Sequence, residues 1–462
     1  MAAQHPSQPQ AVVEQALAAS TADDCLVILR DRTSANLRWA NNTLTTNGVT
    51  SAVDLTVISF VGTATASVTA SATTPDAVAE LVRSADVAAR EADPAEDAAD
   101  LVRDITSPDW HEPPVPTDIH VYDAVAPALG EAFGRAAGAG RVLYGFVNHE
   151  STTTYVGSST GLRLRHAQPT GHVGCTGKSA DLSRSAWVGA ATRDFADVDP
   201  LSIDAELERR LAWAERRVDL PAGRYDTILP PTAIADLMIS AYWSAGARVA
   251  WEGQSVYSSR GGGTRIGQRI ARKGVDLWSD PALDGRECLP FVVATRSGNA
   301  ESVFDNGLPL ARTDWIRDGE LASLVQSRHT AAMTSQPLTP YVDNLALSVT
   351  GATGTIEDLV AGTERGLLLT CLWYIREVDP QTLLLTGLTR DGVYLVEGGE
   401  ITGAVNNFRF NESPVDLLTR FTHASATVPA FSREWGDDYF SRTAMPALRV
   451  PDFNMSSVSR AL

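Results

Sequence analysis

The chain has 462 residues, of which 44% are hydrophobic and 20% charged, which is the composition of a folded protein with two or three domains. Its 56 Asp and Glu outnumber its 38 Lys and Arg, so the formal net charge is −18. Because a surface this negative repels phosphates and anionic lipids, neither nucleic acid nor a membrane is an expected partner.

No targeting or membrane segment is predicted. Residues 1–10 are polar and lack the basic start and apolar core of a signal peptide. The most apolar run, 366–375, has about half of the ~20 residues that a membrane-spanning helix needs. The four cysteines lie far apart without a CxxC pair, which argues against a disulfide framework. We therefore expect a cytoplasmic protein.

The first 95 residues predict a helix, a meander of strands and a second helix. Residues 10–19 have helical spacing, and 25–70 contain runs rich in Val, Thr and Ile, which are typical of strands. A helical period returns over 75–92. We interpret residues 1–95 as a first small α/β unit.

A similar order of elements recurs after a polar stretch. Residues 93–118 carry eight Asp and Glu among several prolines and predict a linker or surface excursion. A helix over 121–137, strand-like runs from 141 to 192 and a charged helix over 201–218 then define a second unit, 115–218. The two units share element order rather than obvious sequence identity, so an internal duplication is a hypothesis only.

Residues 222–455 predict a larger domain, rich in strands, around one helix. Pro230 and Pro231 end a short strand, and a helix is predicted over 232–250. Strand-like runs separated by glycines fill much of the rest, from 289–295 to 407–410. The predicted fold class is α+β, with two small α/β N-terminal units followed by a larger β-rich C-terminal domain with a central helix.

No motif predicts catalysis by itself. The sequence contains no HExxH, and no GxGxxG lies between a strand and a helix. Residues 171–179 end in Gly-Lys-Ser like a phosphate-binding loop, but the first glycine is one residue too far away and no helix follows. A strand rather than a helix follows the GxSxG match around Ser159, which favours a simple turn over a nucleophile elbow.

Isolated His and Cys residues give weak signals. His166, His172 and Cys175 are close enough in sequence to be considered as metal ligands, but no fourth donor lies nearby and the spacing matches no known signature. We interpret His149 as a surface residue. Cys371 lies in an apolar run, where a small buried residue is a better interpretation than a nucleophile.

Runs near the C-terminus resemble the TldD/PmbA family. Residues 388–401, LTRDGVYLVEGGEI, are similar to its GLTRDGLFLIENGEI stretch, and 407–414, NFRFNESP, match its NxRFNxSP signature. Residues 231–237 resemble the start of the family's central helix, and 250–255 resemble the end. The resemblance spans essentially the whole chain. Within the signature we interpret five residues as structural: Arg409, Phe410, Asn411, Ser413 and Pro414.

The resemblance implies one half of a two-protein peptidase. In the TldD branch the central helix carries HExxxH, in which two histidines bind zinc and the Glu is the base, and a Cys from the C-terminal sheet is the third protein ligand. The TldE/PmbA branch has the same fold without these residues and pairs with TldD. The family is associated with trimming peptide precursors and degrading unfolded or loosely folded short proteins.

Aligned with that helix, this sequence lacks every zinc ligand. Ser240 stands at the first His, Ala241 at the Glu and Ala245 at the second His, and no His occurs between His172 and His329. No Cys lies near 387–389, where the third ligand is expected. Because zinc binds imidazole and thiolate, Ser and Ala cannot replace these ligands. The resemblance therefore implies a TldE-type subunit without a cofactor of its own and zinc in its TldD-type partner.

We expect a non-catalytic subunit that completes the substrate cleft and holds a TldD-type metallopeptidase subunit. Its substrate is expected to be an extended peptide, bound through its main chain at a strand edge. Two alternatives stay open: a stand-alone peptide-binding protein, or part of a pair recruited to hydrolyse an amide in a biosynthetic pathway. A stand-alone protein would be stable and monodisperse alone, whereas a subunit needs a partner for its apolar interface.

Overall fold

The computed structural model describes residues 8–72, 74–436 and 442–459, so the start of the predicted first unit, residues 1–7, lies outside the described residues. Two helix–strand–helix groups make up the N-terminal part. The first consists of α1 (Pro9–Ala19), β1 (Asp24–Ala40), β2 (Thr43–Val61), β3 (Ala64–Ala70) and α2 (Pro75–Glu91), and the second of α3 (Val125–Gly138), β4 (Arg141–Ser158), β5 (Arg163–Ser179), β6 (Ser185–Thr192) and α4 (Pro200–Trp213).

The two predicted N-terminal units share one antiparallel sheet. Its strand order is β3-β2-β1-β4-β5-β6, so each unit contributes one half. The halves join where β1 pairs with β4, from Leu26 opposite Ser158 to Trp39 opposite Gly145. Each half carries its own pair of contacting helices, α1 with α2 and α3 with α4. This symmetric arrangement supports the hypothesis of an internal duplication.

Strand β5 is one continuous strand of 17 residues within the predicted strand-like runs from 141 to 192. Glycines interrupt the apolar pattern there, and the structure shows why they are present. A Cβ at Gly171 would lie 2.9 Å from the ring of Phe195, and one at Gly177 would lie 3.2 Å from Leu207. The glycines therefore let neighbouring side chains pack on the backbone of a strand. The stretch 171–179 is not a phosphate-binding loop, as expected.

The long connection 93–118 is more ordered than a linker. It contains no regular helix or strand, but Ser107 N donates a hydrogen bond to Arg163 O at 2.8 Å. Trp110 is 4% exposed and packs in the core of the first half of the sheet. The prolines and acidic residues predicted the lack of regular structure, whereas the packing depends on tertiary contacts.

The C-terminal domain contains two further sheets and short helices. Its elements in chain order are β7 (Arg217–Val218), β8 (Gly223–Leu229), α5 (Pro231–Trp243), α6 (Ala247–Trp251), β9 (Val275–Ser279), β10 (Thr313–Arg317), β11 (Glu320–Leu321), α7 (Arg328–Thr334), β12 (Leu345–Val349), α8 (Ile356–Ala361), β13 (Arg365–Leu369), β14 (Leu372–Asp379), β15 (Leu384–Thr389), β16 (Val393–Glu397), β17 (Glu400–Val405), β18 (Phe408–Glu412), α9 (Pro414–Arg420), β19 (His423–Ala424), β20 (Val428–Ala430), β21 (Thr443–Met445) and β22 (Leu448–Val458).

Helix α5 is buried between these two sheets. One sheet has the order β11-β10-β9-β12-β21-β20, and the other runs β14-β15-β18-β22-β8-β13-β16-β17-β7, with β19 paired to β22. Helix α5 contacts β20 and β21 of the first sheet and β8 of the second. Every residue from 233 to 242 is buried, as expected for a helix that is apolar on all sides.

The predicted helix over 232–250 is wrong in one respect, because it is broken into α5 and α6. Between them the backbone bonds to a distant segment: Val325 N donates to Ala245 O at 2.8 Å, and Ala247 N donates to Val325 O at 3.0 Å. These tertiary hydrogen bonds replace those of a continuous helix. The predicted strand over 289–295 is also wrong, since this segment is irregular.

No helix in the described ranges is long and apolar enough to cross a membrane.

Candidate functional site

The structure separates the three positions that match the lost HExxxH. Ser240 and Ala241 lie near the end of α5, whereas Ala245 lies beyond it in the break before α6. All three are buried, at 8%, 3% and 5% exposure. The Ser240 hydroxyl donates a hydrogen bond to Asp236 O at 3.0 Å, so it is used inside the helix.

Zinc does not fit the residues at these positions. Alanine offers no ligand atom, and a serine hydroxyl is not among the usual zinc donors. Leu388, where the third ligand is expected, lies in β15 and pairs with Trp373 of β14. In the part of the chain that the structure describes, no three His, Cys, Asp or Glu are grouped so that they could hold a metal ion.

Cys371 lies beside the expected third-ligand position, but its thiol is buried and unreactive. It is fully buried, and its thiol donates a hydrogen bond to Arg390 O at 3.2 Å. Burial raises the pKa of the thiol to about 12, so the thiolate that a nucleophile or ligand requires is not formed near neutral pH. This supports its interpretation as a small buried residue.

The other His and Cys candidates are not brought together. His166, His172 and Cys175 all lie on β5. His172 and Cys175 are three residues apart, which points them to opposite faces, and the two histidines are about 20 Å apart along the strand. The interpretation of His149 as a surface residue is wrong, because its ring is buried between Thr117 Oγ1 and Arg193 O at 2.7 Å each. Burial lowers its pKa.

The family signature lies in the scaffold of the large sheet. In β18, Phe410 is fully buried while its neighbour Arg409 is exposed and Asn411 is half-buried. Helix α9 begins at Pro414, with Ser413 at its N-cap position. However, the Ser413 hydroxyl donates to Thr382 O at 2.8 Å instead of capping the helix.

A segment that the sequence analysis did not single out lies along α5. We call residues 432–435 the α5 strap. Ser432 Oγ donates to Asp236 Oδ1, and Glu434 N donates to the same oxygen at 2.9 Å. Trp435 Nε1 donates to Asp236 O at 3.0 Å, and its ring contacts that of Trp243 at 5.0 Å.

The α5 strap covers the helix face that carries Ser240. Asp236, Ser240 and Trp243 are spaced four and three residues apart, which places them on one face of a helix. The strap contacts the first and last of these three, so Ser240 lies beneath it. The available signal in the sequence was one acidic residue in an apolar helix, because a buried carboxyl group needs specific partners.

Asp236 is an unusual carboxyl group. Burial raises its pKa to about 8, although two hydrogen bonds to Oδ1 act in the opposite direction. Its Oδ2 is buried and has no hydrogen-bond partner among the described residues. At neutral pH the group is therefore largely protonated and acts as a neutral anchor for the strap.

A cleft of about 960 Å³ opens at the C-terminal end of α5. We call it the α5 cleft. One wall is aromatic: Tyr242 stacks on Tyr341 with ring centroids 4.8 Å apart, and Trp243 Nε1 donates to Tyr341 OH at 3.1 Å. Arg30 contributes from the N-terminal sheet, and Asp343 is among the acidic residues of the lining. Concave sites with aromatic walls and a few polar groups are typical of binding sites.

Sequence profiles define the class of protein as a metallopeptidase-type chain. Residues 222–457 match the profile described as the PmbA/TldA metallopeptidase C-terminal domain, and residues 25–89 match PmbA/TldA metallopeptidase domain 1. Because the first match spans half of the chain, this protein belongs to the PmbA/TldA family. The resemblance to TldD/PmbA proteins is thereby confirmed. Among curated proteins, none matches this chain.

Solved structures confirm the α+β fold. TldE from Thermococcus kodakarensis is 15% identical with a TM-score of 0.72, over 96% of this chain and 99% of its own. A candidate modulator of DNA gyrase from Thermotoga maritima is 15% identical, with a TM-score of 0.73 over 93% and 95% of the two chains. A similarly named protein from Bacteroides thetaiotaomicron is 13% identical, with a TM-score of 0.73 over 96% and 98%. At these identities the likeness shows the fold alone.

Proposed function

We propose that this chain is the metal-free, TldE-type subunit of a heteromeric, cytoplasmic TldD/TldE-type zinc peptidase that processes or degrades peptides and loosely folded proteins. The observation that carries the proposal is the face of α5 around Ser240. Ser240, Ala241 and Ala245 supply none of the imidazole or carboxylate groups of HExxxH, and the α5 strap is bonded to Asp236 and packed on Trp243 along the same face. Zinc and the catalytic base would therefore come from a TldD-type partner.

The α5 cleft is the part of this subunit that we assign to the substrate. A strand edge is the alternative place, and β14 is an edge strand of the large sheet. However, the Glu434 carboxylate accepts hydrogen bonds from Tyr374 N and Ile375 N at 3.0 Å each, which caps that edge. An extended peptide in the cleft would instead pack its side chains against the aromatic wall, which offers a large apolar contact area.

Co-purification with a TldD-type protein that carries HExxxH tests this proposal. We expect a stable complex that buries more than about 1,000 Å². Cleavage of a peptide should need both chains, and bound zinc should follow the TldD-type chain. A fully active TldD-type protein that forms no complex with this chain would contradict the proposal. So would about one tightly bound zinc in this chain alone, lost together with its peptidase activity on chelation.

A stand-alone peptide-binding protein is the second candidate. It is favoured by the α5 cleft, which has a volume of about 960 Å³ and an aromatic wall. The purified chain would then be monodisperse and would bind peptide with an affinity that the TldD-type protein does not change. Light scattering and a peptide titration with and without the partner distinguish the two functions.

A further inference from the structure

A second pocket lies between the N-terminal sheet and the C-terminal domain, away from the α5 cleft. Its volume is about 150 Å³, and we call it the Arg433 pocket. Tyr144, Phe146 and Trp187 line it from the N-terminal sheet, and Phe431 and Arg433 line it from the C-terminal domain. An apolar cavity of about this volume can hold benzene, so one aromatic or branched side chain fits.

Arg433 is stacked on two tryptophan rings, and it forms no ion pair with any Asp or Glu that the structure describes. Its guanidinium carbon lies 3.4 Å from the ring centroid of Trp373 and 5.2 Å from that of Trp187. Stacking on two indoles fixes the plane of the guanidinium group. Its Nε is buried without a hydrogen-bond partner among the residues that the structure describes. A buried donor left unpaired in this way is costly unless a ligand satisfies it.

The nearby charges favour an anion. Arg38 lies 5.9 Å from the Phe146 ring, and Lys178 Nζ lies 5.8 Å from the Tyr144 ring, so two further cations flank the walls. The described lining includes no Asp or Glu. This is a local excess of positive charge in a protein whose net charge is −18.

Asp236 lies close enough to Arg433 for the two charges to interact. Burial raises the pKa of Asp236 to about 8, so it provides little negative charge at neutral pH. It also uses Oδ1 to hold the α5 strap, of which Arg433 is a member. Asp236 therefore positions the segment that carries Arg433 rather than neutralising the guanidinium group.

We infer that the Arg433 pocket binds a carboxylate attached to an apolar group, as at the free C-terminus of a peptide that ends in an aromatic or branched residue. The apolar group lies between the aromatic walls, and the carboxylate pairs with the Arg433 guanidinium group. Arg pairs with carboxylates through charge-assisted hydrogen bonds of fixed geometry. This inference goes beyond the proposed function, since it requires neither a partner protein nor the α5 cleft.

Titration of the isolated full-length chain with matched probes tests this inference. The probes are an acetylated tripeptide ending in Phe with a free carboxylate, the same tripeptide as its C-terminal amide, and N-acetylphenylalanine. Tryptophan fluorescence reports binding, because Trp187 and Trp373 contact Arg433. We expect the acid to bind about tenfold or more tightly than the amide, since the amide loses the charged contact.

The three probes also distinguish the sources of the carboxylate. Tighter binding of the tripeptide acid than of N-acetylphenylalanine supports a peptide C-terminus. Equal binding of these two acids supports the pocket but assigns it to small free acids, which overturns the peptide part. Equal binding of acid and amide, or no binding of any probe at millimolar concentration, overturns the inference.

Two variants and a control locate the binding. Arg433→Gln removes the charge and should weaken binding of the acid about tenfold or more, without weakening the amide. Gly174→Val should weaken binding of both the acid and the amide, because the valine side chain would fill part of the pocket that Gly174 lines. A Cβ at Gly174 lies 3.5 Å from Trp187 Nε1 and 3.8 Å from the Phe146 ring, which is ordinary contact distance, so the pocket walls need not move. Arg83→Gln, at an exposed arginine of α2, should change neither. Unchanged acid binding in both pocket variants contradicts the inference.

Discussion

Strand β18 and helix α5 each bury a carboxyl group, but they differ in how that group is paired. Strand β18 turns Phe408, Phe410 and Glu412 to one buried face, where Arg420 Nη2 and Asn454 N each donate a hydrogen bond to the Glu412 carboxylate at 2.6 Å. Helix α5 buries the carboxyl group of Asp236, whose Oδ2 has no hydrogen-bond partner among the described residues. The strand carries the most recognisable motif of the chain, whereas the helix carries the unusual chemistry. A motif that is easy to recognise can therefore mark scaffold, whereas a buried carboxyl group that is only partly hydrogen-bonded marks the candidate site.

Truncating a buried side chain of β18 should have the largest effect on stability. We expect Phe410→Ala to lower the free energy of unfolding by about 3–5 kcal/mol, as large truncations in a core do. Arg409→Ala, at the exposed neighbour on the same strand, should cost about 0.5 kcal/mol or less. Urea denaturation measures both values. If Phe410→Ala keeps its stability and loses only substrate binding, β18 belongs to the site.

On the α5 side, Asp236→Asn should change how stability depends on pH. The pKa of Asp236 is about 8 in the folded protein, against an ordinary value of 3.8. Between these values the unfolded chain releases a proton that the folded protein keeps, so this group lowers stability as pH rises from about 4 to 8. The Asn variant has no such group, so its free energy of unfolding should gain on that of the wild type by up to about 1 kcal/mol for each pH unit in this range.

The measurement is the difference in unfolding free energy between wild type and Asp236→Asn at pH 5, 6, 7 and 8. It should shift steadily in favour of the variant as pH rises. Thr419→Ala, at an exposed position of α9, is the control, because it changes no titratable group and should give a difference independent of pH. A constant difference for Asp236→Asn would mean that the carboxyl group is already ionised in the folded protein.

Removing the aromatic end of the same helix face should affect substrate more than fold. In the complex with a TldD-type protein, we expect Trp243→Ala to raise KM for peptide about tenfold with little change in kcat, since the contact acts on binding. Trp251→Ala is the matched control, because Trp251 is exposed to a similar extent, 43% against 40%. Equal effects of the two variants would remove the α5 cleft from the binding site.

Rebuilding the lost motif should have the smallest effect. We expect the triple variant Ser240→His, Ala241→Glu and Ala245→His to show no peptidase activity alone and no tight zinc binding. Two protein ligands are fewer than the three of a usual catalytic zinc site, and Ala245 lies beyond the end of α5. Metal analysis and a cleavage assay measure both. Tight zinc together with cleavage would show that a third ligand is present and that our placement of the lost site is wrong.

Local patterns in the sequence predicted some elements well and others poorly. The start of α5 after Pro230 and the start of α9 at Pro414 follow from residues next to each other in the chain. The break before α6 depends on Val325, and the role of Asp236 depends on the α5 strap about two hundred residues later. Contacts between such distant segments leave no periodic trace in a single sequence, so they could not be predicted.

Because β1 pairs with β4, the two halves of the N-terminal sheet cannot fold separately. A fragment that begins at residue 115 would keep β4 but lose its partner along the pairing from Leu26–Ser158 to Trp39–Gly145. Its backbone N–H and C=O groups would then be exposed along a long open strand, which is a template for aggregation. Expression of either half alone should therefore yield dimers or insoluble protein rather than a stable monomer.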